Sequence, residues 1–250
     1  MIYFKGGAMS KNKIVIYTAI MGDFDGLKAP EFVTPGVDYI CFTDMKGVQS
    51  NIWKIVNVTN DFENPRMKAR QIKLNPHLFV GDYECSIWID GNIILKKDLG
   101  VLLESLLVDK KAKIATFEHF SRDCLYDEAL ECVITKKDTV KNIYKQIEEC
   151  VNNGYPTRNG LAETNVMFRM HNDKDVIDLM IDWWRCVSTN TIRDQLSFNY
   201  VLYQHKIVCE YFEGNTRVSS EYFGCELHKH DRINHILKVT IDFFKKIFKK

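Results

Sequence analysis

The sequence has no run of about 18 consecutive apolar residues, so no segment reads as a membrane-spanning helix. It has no excess of either charge: 34 basic residues face 33 acidic ones, which removes any global electrostatic reason to expect a nucleic acid partner. Its eight cysteines form no Cys-x-x-Cys pair, which argues against a zinc finger and against a disulfide scaffold. Several of them, such as Cys41 in Tyr39-Ile40-Cys41-Phe42 and Cys209 after Ile207-Val208, sit in apolar runs where cysteine acts as a small buried hydrophobe. No secretory-signal pattern opens the chain, so the thiols read as reduced and the protein as cytosolic. Internal repeats and low-complexity linkers are missing too. So is a good glycine-rich phosphate loop after the first strand, since Met21-Gly22-Asp23-Phe24-Asp25-Gly26 is a poor example of one.

What is present suits a single α/β domain: 250 residues, 46% hydrophobic and 27% charged. Residues 1–12 read as an extension or a cloning remnant and stand outside the fold argument. Apolar β-rich runs predict strands over 13–20, 37–42, 52–58, 113–117 and 164–170. Helices are expected over 65–75, where Asn64-Pro65 is a capping residue before a first-turn proline, and over 99–108, 123–134, 139–151, 174–188 and 193–203. Strands that alternate with helices point to a parallel or mixed sheet covered on both faces.

The most telling stretch is Cys85-Ser86-Ile87-Trp88-Ile89-Asp90-Gly91-Asn92-Ile93-Ile94. A run built for a buried strand stops at an Asp, a Gly and an Asn, residues that strand interiors disfavour. In open α/β sheets the carboxyl ends of strands border the ligand crevice, so Asp90 and Asn92 are placed to offer oxygens there. Two such donors suit a hard divalent cation, although an Asp-Gly turn accounts for the same residues. Two other strands also finish in polar residues, at Tyr17-Thr18-Ala19 and at Thr43-Asp44. Asp44 is positioned either to bind a base or ribose hydroxyl or to shape a turn.

On the 65–75 helix, Arg66, Arg70 and Lys73 recur at i, i+4 and i+7 and share one face, with Ala69 and Ile72 roughly opposite. Such a face either neutralises a diphosphate or is merely solvated. After the 113–117 strand, His119 and Arg122 have no evident structural reason, whereas Asp123 is accounted for as a helix cap. Glu163 falls on a loop that enters a strand, and Asp194 falls in the first turn of a helix, where it complements the macrodipole. His228 and His230 lie late in the chain, and a neutral imidazole at His228 would complete a metal site begun by Asp90. Over 233–250, Ile236, Leu237, Ile241, Phe243, Phe244, Ile247 and Phe248 form an apolar stripe flanked by lysines. That pattern fits a helix lying in an anionic membrane interface, or one docked on the core with its basic face in water.

Taken in order, these pieces resemble the glycosyltransferase-like family long catalogued as a domain of unknown function, which includes plant mucilage- and turgor-related proteins and bacterial polysaccharide-locus proteins. The resemblance rests on Tyr17-Thr18-Ala19-Ile20 with Gly22 and Asp25, Asp38 to Asp44, Ala69-Arg70, Lys73, Ser86-Ile87-Trp88-Ile89-Asp90-Gly91-Asn92, His119, Arg122-Asp123, Tyr126 and Glu128. It continues through Gly160-Leu161, Glu163, Arg169, His171, Trp183-Trp184 and Arg193-Asp194-Gln195-Leu196-Ser197-Phe198, and so covers about 13–205. It implies a GT-A-like fold over 13–232: a Rossmann-type mixed sheet with a nucleotide half at about 13–120 and an acceptor half at about 121–232. It also implies transfer of a sugar from a nucleotide-diphosphate donor, with a UDP-sugar favoured, to a glycan or lipid-linked acceptor in surface polysaccharide synthesis. The enzyme would be cytoplasmic or peripheral on the inner face of the membrane.

Carried over residue by residue, the resemblance assigns Tyr17, Thr18, Ala19, Asp44, Arg70, Lys73, Asp90, Gly91 and Asn92 to the donor. His119, Arg122 and Gln195 go to the acceptor or sugar, and Asp90 and Asn92 to a Mn²⁺ or Mg²⁺ ion, with His228, which lies past the resemblance, as the further expected ligand. Asn92 stands where an Asp-x-Asp motif has its second carboxylate, which removes a charge from the metal site. If configuration inverts, Glu163 or Asp194 takes the acceptor proton; if it is retained, a carboxylate stabilises the oxocarbenium-like state. A metal-dependent nucleotidyltransferase and a non-catalytic nucleotide-sugar or glycan-binding module are the competing readings.

Overall fold

A computed structural model of the chain describes residues 13–22 and 25–226. The expected extension at 1–12, the helix at 233–250 and His228 therefore lie outside the described residues. The first strand, β1 (Ile14–Ile20), is buried along its whole length, because both of its faces are covered. Its alternation sends Val15, Tyr17 and Ala19 to one side and Ile14, Ile16 and Ile20 to the other, and each set seeds a separate core. β2 (Asp38–Thr43) and β3 (Lys54–Asn57) extend the sheet on one side in parallel. β4 (Cys85–Ile89) extends it in parallel on the other. Beyond β4 the direction reverses at β7 (Ala162–Arg169), which pairs antiparallel with β6 (Ile114–Glu118), and β8 (Glu210–Phe212) closes the edge parallel to β6. The result is a mixed seven-stranded sheet in the order β3-β2-β1-β4-β7-β6-β8.

One face is covered by α1 (Pro65–Leu74), α6 (Lys174–Thr189) and α7 (Gln195–His205), with α4 (Leu125–Ile134) and α5 (Val140–Asn152) packed outside α7. A single turn, α2 (Pro76–Phe79), follows α1. The other face is covered by α3 (Gly100–Glu104) with its π-helical continuation over Ser105–Asp109, and by a two-stranded ribbon of β5 (Ile93–Leu95) and β9 (Phe223–Cys225). No described helix is long and apolar enough to cross a membrane.

The long elements fall where their patterns put them. The three-residue strands β5, β8 and β9 carry too little periodicity to be read from sequence, and β9 acquires meaning only by pairing with a strand about 130 residues earlier. Glu163 lies inside β7 rather than on a loop before it. Asp123 does not cap α4: the cap position is Cys124, and Asp123 instead meets Arg158 at 3.9 Å on the surface.

Candidate active site

Where β1 and β4 end and β7 begins, the sheet opens into a cavity of about 790 Å³. Its floor is the Asp90-Gly91-Asn92 turn, closed by the Ile93 amide donating to the Asp90 carbonyl at 2.9 Å. Gly91 is needed for a close approach: a Cβ there would stand 2.5 Å from Ile20 Cδ1. A bulge supplies the opposite wall. One step along β6, from Thr116 to Phe117, spans Met167 to Glu163 on β7, and the Thr116 hydroxyl lies 2.9 and 2.7 Å from the Glu163 and Val166 carbonyls. The extra residues re-aim β7, so that Glu163, Thr164 and Asn165 all line the cavity.

One lobe is cationic. Arg66 and Arg70 of α1 line it together with Arg193, which lies two residues before α7. Lys73 shares the sequence spacing of that pair but not their exposure. Its ammonium is buried behind the wall and donates to Asp194 Oδ2 at 2.7 Å and to Asp90 Oδ1 at 3.2 Å. Asp194 sits at the cap position of α7 without capping it. Its other oxygen forms an ion pair with Arg70 Nε at 3.5 Å. Burial alone would favour the neutral acid, but the charges of Arg70, Lys73 and Arg193 and the Lys73 hydrogen bond outweigh it and hold the Asp194 carboxyl far below the ordinary carboxylate range. Asp194, expected as one of two candidate bases or transition-state stabilisers, is here the counter-ion of Lys73 and Arg70. Among the described residues, Arg66, Arg70, Lys73 and Arg193 gather around Asp90 and Asp194, with Glu128 also acting on Arg193, so cations are concentrated in this lobe.

The other lobe centres on Glu163. Its Oε1 accepts from Arg217 Nη2 at 2.5 Å, while Oε2 is buried with no hydrogen-bond partner. Burial raises its pKa; Arg217 opposes this, and Asp90 and Glu128 add to it. Beside it, His119 Nδ1 accepts the backbone N–H groups of Arg122 at 3.0 Å and Ser121 at 3.3 Å, which leaves the proton on Nε2. Burial lowers the His119 pKa, so the imidazole is neutral. Arg122 Nε donates to Glu128 at 2.6 Å.

Ala19, Arg70, Asp90, Gly91, Asn92, His119, Arg122, Glu163, Asp194 and Gln195 are thus brought to one cavity. Four expected donor contacts are not. Tyr17 is fully buried, its hydroxyl accepting from Arg169 at 2.5 Å and pointing at the Lys73 carbonyl, and burial pushes its pKa up to about 12. Thr18 is buried in the sheet, and Asp44 accepts the Gly22 amide at 2.8 Å, which ties the end of β2 to the segment after β1. Lys73 acts from behind, as described. Gln195, an expected acceptor contact, donates to the Ala162 carbonyl at 3.0 Å and thereby braces β7. Arg193, Arg217, Phe120 and Glu128 also line the cavity. Arg193 is the first residue of the Arg193-Asp194-Gln195 motif, but Arg217 lies in a loop with no sequence signal.

The side chains at the end of β4 are engaged with protein groups. Asp90 Oδ1 already accepts from Trp88 Nε1 at 2.7 Å and from Lys73. The Asn92 amide nitrogen is committed to the Glu226 carbonyl at 2.9 Å and to Cys225 Sγ at 3.3 Å. Among the described residues no three His, Cys, Asp or Glu side chains cluster together. Lys73 thus sets an ammonium beside the carboxylate that was expected to meet a metal.

Compared with known proteins, residues 5–219 match the family described as TOD1/MUCI70, glycosyltransferase-like domain. Over 215 residues the chain is 27% identical to the probable hexosyltransferase MUCI70 of Arabidopsis thaliana. That match takes in 75% of this chain and 37% of the plant protein, so the chain spans well under half of its relative's length.

Proposed function

This chain belongs to the TOD1/MUCI70 glycosyltransferase-like family, and from that premise we propose that it transfers a hexose-type sugar from a nucleotide-diphosphate donor, a UDP-sugar first, to a hydroxyl of a glycan or lipid-linked acceptor. The observation that carries this reading is the polarity of one cavity: cations concentrated at one lobe, and at the other a buried carboxylate with an unused oxygen. The strand order, with parallel strands that reverse direction next to the cavity, supports a GT-A-type arrangement.

In this reading the acceptor oxygen attacks the anomeric carbon as the bond from that carbon to the phosphate oxygen breaks, and its electron pair leaves with the diphosphate. Arg66, Arg70 and Arg193 neutralise the departing charge, fixed in advance by Asp194. Glu163 Oε2 receives the acceptor proton, which makes the reaction a single inverting displacement. Asp90 and Asn92 border the sugar-nucleotide junction, and neutral His119 offers an Nε2–H donor to a sugar hydroxyl.

The test is UDP release from a panel of UDP-hexoses, followed with and without a glycan acceptor, in the wild type and in Glu163→Gln. Release that depends on Glu163 supports the reading. Release of inorganic diphosphate from a nucleoside triphosphate would favour a nucleotidyltransferase. A sugar nucleotide that raises the melting temperature without being consumed would favour a binding module.

A further inference from the structure

We propose that Arg217 is the positioning residue of this site: by holding one oxygen of Glu163 it fixes the side chain and keeps it ionised, with the other oxygen left as the one without a protein partner. This rests on the reading of Glu163 as the base. Arg217 lies in the loop between β8 and β9, and that loop is built to present it. Gly214 enters the loop at φ +75. The Asn215 side-chain oxygen accepts the amides of Arg217 at 3.1 Å and Val218 at 3.0 Å, and its carbonyl accepts those of Ser219 and Ser220. Thr216 Oγ1 accepts from Asn165 Nδ2 at 2.9 Å, which ties the loop to the same bulged strand that carries Glu163. The guanidinium then lies 4.7 Å from the centroid of Phe120, whose ring stacks on His119 at 5.1 Å. One cation is thus held by a carboxylate and by an aromatic face whose electrons attract it.

The charges around Glu163 explain why the clamp is needed. Asp90 at the end of β4 and Glu128 on α4 both disfavour its ionisation, and Cys225 on β9 is close enough to feel its charge. Arg122 is already committed to Glu128 at 2.6 Å, and His119 is neutral. Among the described residues, Arg217 is the cation in contact with Glu163. A buried carboxylate deprived of it would hold a proton and could accept none.

The experiment compares wild type, Arg217→Met and Arg217→Lys. Half of the Arg217 side chain is exposed, so these variants are expected to fold, and their melting curves check this. Carboxyl ¹³C NMR of glutamate-labelled protein, with the Glu163 signal assigned by Glu163→Gln, follows the titration without any substrate. Glu163 should titrate about one pH unit or more higher in Arg217→Met and return toward wild type in Arg217→Lys. UDP release from the best UDP-hexose should show the same shift in its acid limb, through kcat, with little change in KM for the donor. An unmoved Glu163 titration in Arg217→Met would overturn the proposal. A titration that shifts in a protein that consumes no UDP-hexose would leave the clamp standing and remove the transferase reading instead.

Discussion

Glu163 and Asp194 are both buried carboxylates in one cavity, and their neighbours send them in opposite directions. Asp194 is held below its ordinary range by Arg70, Lys73 and Arg193. Its unfolded value lies near 3.9, so its stabilisation is complete above about pH 4 and is lost as pH falls through the lowered native value. Asp194→Asn should therefore destabilise the protein at neutral pH by about 3 kcal/mol, because buried cations lose their counter-charge. Denaturant melts of the two proteins should converge as pH drops below about 4. Glu163 is pushed above its ordinary value, so it costs stability as pH rises through that raised value, and it is active as a base only above it. Glu163→Gln should lower kcat by about 10²- to 10⁴-fold and leave donor KM nearly unchanged. The wild-type acid limb should fall above the ordinary glutamate range. At this scale, the presence of both carboxylates at the site was legible in the sequence. Which of them can accept a proton was not, because that depends on cations brought in from α1 and from the β8–β9 loop.

Among the elements, the β8–β9 loop does the least for the core and the most for the site. A Cβ at Gly214 would collide with Ser219, at 2.8 Å from its hydroxyl and 2.9 Å from its backbone, on top of the cost of a left-handed residue. Gly36, with φ +76, has open space around it and lies before β2, at the far end of the sheet from the cavity. Gly214→Ala and Gly36→Ala share the conformational penalty of about 1–2 kcal/mol. Only the first should displace Arg217, so a pair of activity assays against matched melting curves separates the effects. UDP release should fall at least about tenfold in Gly214→Ala and stay near wild type in Gly36→Ala, a difference corresponding to one factor of ten per 1.4 kcal/mol. Helix α1 shows the other side of element-level reading. Asn64 Oδ1 accepts the Arg66 amide at 3.0 Å, and Pro65 fills the first turn, so its start was written locally. Its cationic stripe then split, with Arg66 and Arg70 to the cavity and Lys73 to the interior, because the helix is rotated by packing on β1 and α6.

Across the whole molecule the charge is balanced, so the cationic lobe is a local feature that only a ligand of matching size will report. UDP should raise the melting temperature more than uridine at the same concentration, and added salt should shrink the difference. Arg70→Ala should reduce UDP stabilisation and leave that by uridine largely intact. Equal losses for both ligands would show that the lobe does not hold the diphosphate. All eight cysteines are free, and six of them are buried. Burial pushes Cys41, Cys85, Cys186 and Cys209 up to about 12, so native protein should resist thiol reagents, with the half-buried Cys225 the first to react.

The sequence by itself determined the long strands and helices, the Asn64-Pro65 start of α1 and the Asp90 turn at a strand end. These depend on periodicity and turn chemistry within about ten residues, and such signals survive without a fold. Tertiary structure decided the charge state of each acid, the withdrawal of Tyr17 and Lys73 from the cavity, the bulge that aims Glu163 and the arrival of Arg217. Each of those depends on groups far apart in the chain meeting in a space without water. There a single ammonium or guanidinium contact outweighs any local preference, because the low dielectric strengthens it and burial leaves the carboxylate no other partner.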